Sequence, residues 1–434
     1  MKRFLLWIIG VILGVVVLLG AVMAVSYSFT GEGSRPEAAA QFGGQELEVN
    51  GSCWQVPLVG GVLDKVFAEP ETLSVQKLGV LYDAHPALTT PDWATYTTLT
   101  IQSADGAPLF TGSASEYDSF LFPANGEYKA QMTVWRLPAG GLVTRFEGGS
   151  NGAVRKNSGL EHPAKPSGWY SFSFRFTLQA SANVELSAER VEQGGIVGVA
   201  ITGMVGETAP TVETDLGSVQ CTRSPSGWRA YIPAAYNASA GAHDVTLTVN
   251  GEVLTKTLTV LPKDFGTAEV EAEPAPTEAA NTEFRNSIWP LYEQPAQEKL
   301  WSGGFVCPAE DYLVLLDFGQ IKITNGQQGS KSNSTKLYTI PGDPARAPAN
   351  GTVAFAGNLA LTGSTVVIDH GCGMRSYLYG LQTLSVTRGQ TVEKGQAVGA
   401  LGAELTMDFK LGSKSLNPWL LFQTSGGLFW RENG

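Results

Sequence analysis

The stretch that decides the fold lies near the carboxy end: GDPARAPANGTVAFAG (residues 342–357), STVVIDHGCG (364–373), SVTRGQTVEKGQAVGALG (385–402) and LNP (416–418). Short β-branched runs alternate there with glycine-rich turns, the pattern of a compact all-β unit. GTV, RGQTV and KGQAVG each put a glycine at a tight turn and a valine on the strand that follows. Glycine supplies the positive φ that such turns need, and valine then favours the extended strand.

The order of these pieces resembles the lysostaphin/LytM-type zinc endopeptidases, which cut peptide cross-bridges in bacterial cell walls. That family reads G-T-P-V-x-A-P-x-x-G-x-V, then H-G-x-G, then V-x-x-G-x-x-V-x-x-G-x-x-I-G, then N-P. Gly342, Pro344, Ala347, Gly351, Val353, Ala356 and Gly357 fit the first block, and His370, Gly371 and Gly373 the second. Val386, Gly389, Val392, Gly395, Gln396, Val398, Gly399 and Gly402 fit the third, and Trp301, Phe305, Pro308 and Phe318-Gly319 fall at the family's upstream W, F, P and F-G. The resemblance implies a small antiparallel β domain with a groove across one face.

It also implies where zinc would sit, and those places are substituted. In the family the metal is held by the His and Asp of H-x-G-x-D and by the second His of H-L-H-F. Two further histidines, in Y-x-H-L and at the first place of H-L-H, handle water and the developing oxyanion. The family spacing, counted back from Ala347, puts Lys336 at the Asp place and Ser332 at the first His place. Gly380 stands where Y-x-H-L has its His, and H-L-H-F becomes Thr406-Met407-Asp408-Phe409. A catalytic zinc needs three converging protein donors and an open fourth position. Of the ligand places only Asp408 keeps a donor, with the Lys336 cation expected beside it. His370 is the last histidine in the chain, so no shift of alignment restores the set. The expectation is a groove lined by Lys336, Tyr379, Thr406 and Asp408, without zinc or another cofactor. Zinc enters only in the alternative of an active wall endopeptidase.

Asp369-His370 is the one pair that looks catalytic on paper. In the family pattern it marks a hairpin turn, so a structural role is expected. No H-E-x-x-H, nucleophile elbow or Cys–His signature occurs elsewhere.

Composition sets the outer limits. The 434 residues are 43% hydrophobic and 16% charged, enough for two to four folded domains. A net charge of −11, with no Lys/Arg cluster beyond Lys2-Arg3, argues against nucleic acid as a partner. The four cysteines, Cys53, Cys221, Cys307 and Cys372, form no C-x-x-C pair. Cys307 and Cys372 share the last module and either pair in an oxidising exterior or remain buried thiols.

Lys2-Arg3 is followed by an uncharged run, residues 4–25, long enough to span a bilayer as a helix. Positive residues before it keep the amino end inside and export the rest, giving a single-pass cell-membrane protein whose bulk is extracytoplasmic. The alternative is a cleaved signal, since Ala21-Val22-Met23-Ala24 offers small residues. Residues 1–25 are thus anchor or signal, and 26–44 read as a tether.

From 45 to 180 the pattern is strand-like, in ATYTTLTIQ (94–102), YKAQMTVWRL (128–137) and WYSFSFRFTL (169–178), and it predicts a β-sandwich-like domain. Residues 147–167, rich in Gly, Asn and Lys, read as a mobile loop. The aromatics of the last strand read as core, against the alternative of a glycan-binding surface. Residues 181–262 resemble the bacterial Ig-like domains that precede LytM-type modules, with Asn250-Gly251 as a hairpin turn and His243 as a surface or edge histidine. Residues 263–285, rich in Ala, Pro and Glu, read as an extended acidic linker, and 286–434 as the LytM-type domain, with 284–301 packed against it. The fold class is mainly β.

Two functions compete, with a glycan-binding surface protein as a third. One is a pseudo-peptidase scaffold, binding peptidoglycan or an envelope protein such as an amidase. The other is an active cell-wall metalloendopeptidase.

Overall fold

The structure, a computed structural model, describes residues 2–137, 167–272 and 274–430, so most of the 147–167 loop lies outside the described residues. The chain divides into two compact units, residues 1–181 and 182–434.

Unit one starts with helix α1 (Lys2–Phe29), long and apolar enough to cross a membrane. It is apolar all round and has no polar face to turn to water. Residues 26–44, expected as a tether, are held to the domain instead. Lys65 donates to the Tyr27 and Thr30 carbonyls, Arg35 reaches Glu69 at 2.8 Å, and Phe42 is fully buried. The domain is one seven-stranded sheet with a three-stranded sheet over it. In the Ser167–Leu178 strand Tyr170, Phe172, Phe174 and Phe176 all turn inward, as period-two alternation requires. Phe42 of the small sheet lies 5.1 Å from both Phe174 and Phe176. These rings are core; Trp169, on the opposite face of the same strand, is half-buried beside Trp135 at 6.0 Å.

Unit two opens with two four-stranded sheets over residues 183–261, closed on a shared core of Val197, Val199, Ile201, Val245, Leu247 and Leu258. Asn250 (φ 52°) and Gly251 (φ 81°) make the expected two-residue hairpin, both in the left-handed region. His243 is not a surface histidine. It is 6% exposed, with Nδ1 2.8 Å from Asp215 and Nε2 2.8 Å from the Ser239 carbonyl.

The acidic stretch after 262 is partly structured. Thr267–Glu269 pairs in parallel with Ile321–Thr324, and Phe265 packs edge-on against Phe318 at 5.7 Å. Helix α2 (Glu278–Tyr292) follows, its start capped by Thr277, whose hydroxyl accepts from the Ala280 N–H. Phe284, Ile288, Leu291 and Tyr292 fall on one helical face and pack on the last domain, as expected for 284–301.

The last domain is a nine-stranded sheet. Five strands position the site: β1 (Thr335–Thr339), β2 (Gly351–Leu359), β3 (Gly363–Asp369), β4 (Met374–Leu384) and β5 (Ala397–Leu411). They lie in the antiparallel order β1-β5-β4-β3-β2. One face carries the core, with Leu337, Val366, Ile368, Leu378, Leu405, Met407 and Phe409 fully buried. The His370–Gly373 turn reverses the chain between β3 and β4 with three successive positive φ angles, and a Cβ on Gly371 would sit 1.9 Å from the Glu298 carbonyl. Only glycine fits there, which explains the H-G-x-G spelling. All four cysteines are free, so Cys307 and Cys372 do not pair; the Cys372 thiol lies 3.1 Å from the Thr222 hydroxyl.

Candidate functional site

The face opposite the core is built by register. Lys336 on β1 stands beside Thr406 on β5, Thr406 beside Tyr379 on β4, and Tyr379 beside Thr365 on β3. One row along, Asp408 stands beside Tyr377, and Tyr377 beside Val367. Alternate residues of a strand share a face, so Lys336, Thr406, Asp408, Tyr377 and Tyr379 form one surface.

Two ion pairs occupy it. Lys336 Nζ lies 2.8 Å from Glu404 Oε2 at the open end. Deeper in, Asp408 Oδ2 lies 2.8 Å from Lys410 Nζ and accepts from the Ser415 hydroxyl at 3.3 Å, while Lys410 donates to that hydroxyl at 2.6 Å. Asp408 is 4% exposed and Lys410 5%. The Lys410 ammonium also lies over the rings of Tyr292 (5.6 Å) and Tyr377 (6.0 Å). Asp408 Oδ1 and the Tyr377 hydroxyl are buried without a protein partner. A second buried pair, Arg375–Asp369 at 2.7 Å, closes the row towards the hairpin.

Helix α2 covers the deeper half. Phe284 sits 6.2 Å from the Tyr379 ring, and Tyr292 lies edge-on to Tyr377 at 6.0 Å. Burial raises both strand phenols well above their ordinary pKa, and the Asp408 charge adds to the shift. Asp408 and Tyr379, expected to line an open groove, are therefore under the helix; Lys336 and Thr406 stay partly exposed.

Two other expected places lie off the row. Gly380 (φ 80°) sits in a bulge of β4, and a Cβ there would come within 2.9 Å of the Glu404 carbonyl. Tyr379, one residue earlier, supplies the side chain that faces Thr406. Ser332 precedes β1 and is 2% exposed; its hydroxyl donates to the Ser334 carbonyl at 2.8 Å, and its own carbonyl accepts from Gly319.

The donor set does not fit a catalytic zinc. Asp408 is the single donor among the ligand places of this face, its charge is already matched by Lys410, and a second cation, Lys336, stands one row away. Among the described residues no three His, Cys, Asp or Glu side chains converge as a metal site. His370 offers no substitute. Its Nδ1–H donates to the Asn350 carbonyl at 2.8 Å and its Nε2 accepts from the Ser376 hydroxyl at 2.9 Å. Burial pulls its pKa down to about 4. Asp369 turns instead to Arg375 and the Gly371 N–H, so the two form no acid–base dyad.

The profile of peptidase family M23 matches residues 330–424, the span that contains β1 to β5. The carboxy-terminal domain is an M23 peptidase-family domain. Solved structures similar to the chain include a putative peptidase M23 from Pseudomonas aeruginosa, at 18% identity and a TM-score of 0.40, covering 54% of this chain and 94% of that one. The SpoIIIAH–SpoIIQ complex matches at 19% identity and TM-score 0.24 over 26% of this chain and 97% of that one. The catalytic domain of lysostaphin from Staphylococcus simulans matches at 19% and 0.23 over 26% and 92%. No curated protein matches the chain.

The residues of the M23 domain that sequence reasoning missed are Glu404, Lys410 and Tyr377. A signal for them existed: each lies two residues along its strand from an expected site residue, and therefore on the same face.

Proposed function

We propose that this protein is a membrane-anchored, extracytoplasmic M23-domain protein that does not hydrolyse peptidoglycan and acts by binding it, or by binding an envelope partner such as a wall hydrolase. The observation that carries this reading is the Asp408–Lys410 pair, buried beneath α2 where a metal ligand is required. A zinc hydrolase lowers the pKa of a metal-bound water towards neutrality, and needs groups nearby to move its protons. Gly380 has no side chain, burial raises the pKa of Tyr379, which stands beside Thr406 in its stead, well above the ordinary value, and the Thr406 hydroxyl does not titrate near neutral pH. Binding falls to the uncovered end of the face, where Tyr338 and Leu313 are paired neighbours, 50% and 68% exposed, beside Lys336 and Thr406. Lys2-Arg3 ahead of the apolar run keeps the amino end in the cytoplasm.

The full-length protein in detergent is expected to bind no stoichiometric zinc by mass spectrometry and to release no fragments from purified cell walls, while sedimenting with those walls or with a hydrolase. One equivalent of zinc, together with lysis abolished by Asp408→Ala, would overturn the reading and establish the endopeptidase instead.

A further inference from the structure

The β-hairpin next to α1 in unit one has an unusual tip. Among the described residues its strands, Gly51–Leu58 and Leu63–Glu69, pair with each other up to the tip, and the first also pairs with the Ser167–Leu178 strand as far as Gln55, opposite Ser167. The tip reads Leu58-Val59-Gly60-Gly61-Val62-Leu63, with no charge. Val62 is 68% exposed, and Val66, a little back from the tip, is 54% exposed. Val59 takes φ 48°, a conformation that β-branched residues avoid, so an apolar side chain is kept where glycine or asparagine would be easier.

The tip lies against α1. Lys65 Nζ donates to the Tyr27 carbonyl at 2.8 Å and the Thr30 carbonyl at 2.6 Å, and stands 4.9 Å from the Tyr27 ring. It thus satisfies carbonyls that the end of a helix leaves without partners, and fixes the hairpin at the level where the apolar helix stops. Tyr27 and Phe29 are exposed at that level. Aromatic residues at the end of an apolar span are what a bilayer interface favours.

We propose that the 58–63 tip inserts its valines into the lipid surface from which α1 emerges, seating the domain on the membrane. The proposal rests on reading α1 as a membrane span. The occupant is lipid because the tip lies against α1, the one element among the described residues long and apolar enough to enter it. The contact is apolar: Asp64 and Lys65 follow the tip with opposite charges, so neither anionic lipid nor low salt is required.

The test places the photo-crosslinker p-benzoylphenylalanine in full-length protein reconstituted into phosphatidylcholine vesicles. It replaces Leu13 within α1, Val62 at the tip, or Leu121. Leu121, 45% exposed, precedes Gly126, which pairs with Leu178 at the far end of the sheet from the tip. Lipid adducts at positions 13 and 62 but not 121, unchanged in high salt, are the expected result. An adduct at 13 without one at 62 overturns the seating proposal and leaves the anchor intact. No adduct at 13 removes the anchor, and the proposal falls with it.

Discussion

The two faces of the M23 sheet are written by the same strands, residue by residue. In β5 the sequence Leu405-Thr406-Met407-Asp408-Phe409 sends Leu405, Met407 and Phe409 into a fully buried core and turns Thr406 and Asp408 to the other side. The two faces ask different things of their residues. A core asks only for apolar side chains of suitable volume, which many residues supply. A zinc site asks for particular donors in a particular geometry, and one lysine in a ligand place defeats it. Without such donors a polar face still has to be satisfied, and here ion pairs and a helix do it.

The strongest way to break the comparison is to unbalance that buried face. Asp408→Ala leaves the Lys410 ammonium buried without its counter-charge, and thermal or denaturant unfolding is expected to show a loss of about 3–5 kcal/mol. Phe409→Ala, one residue on but facing the core, is expected to cost a similar ~3–5 kcal/mol by opening a cavity. Replacing both Asp408 and Lys410 by leucine and methionine should be far milder than Asp408→Ala alone. If Asp408→Ala were neutral, the pair would not be what holds this face.

Gly380→His restores the family's histidine in name only. Its positive φ and the nearby Glu404 carbonyl predict a loss of about 1–2 kcal/mol in unfolding experiments and no gain of zinc. A variant as stable as the parent would show that the bulge relaxes. At the open end Lys336→Ala removes a half-exposed pair and should cost less than ~1 kcal/mol, while weakening sedimentation with walls or partner.

The smallest effects are pH-dependent and of opposite sign at two buried histidines. Burial lowers the His243 pKa, but the Ser239 carbonyl and Asp215 outweigh it and hold the pKa above its ordinary 6.5. Its stabilising contribution is complete below pH 6.5 and is lost as pH rises through the raised value. His370, pulled down to about 4, stabilises above pH 6.5, and that contribution fades as pH falls towards 4. Melting temperature against pH should therefore lose its alkaline-side slope in His243→Gln and keep its acid-side slope.

Much of this was legible in the sequence. The order of glycine turns and valine strands determined the M23 fold, because each positive φ needs glycine and each strand needs alternation, and both are local requirements. Lys336, Thr406 and Asp408 could be picked out too, since the resemblance places them at fixed spacing from those turns. What only the tertiary structure decided is what fills the face they share. The bulge at Gly380 arises from pairing between β4 and β5, so no count along one strand reveals it. Lys410 balances Asp408 because strand alternation puts both on one face and α2 then seals them from water. The first half of that helix lies in the acidic, Ala- and Pro-rich stretch to 285, whose composition reads as linker. Its apolar stripe at Phe284, Ile288, Leu291 and Tyr292 acquires meaning only once a sheet face exists for it to cover, because a short amphipathic helix gains its stability from tertiary packing.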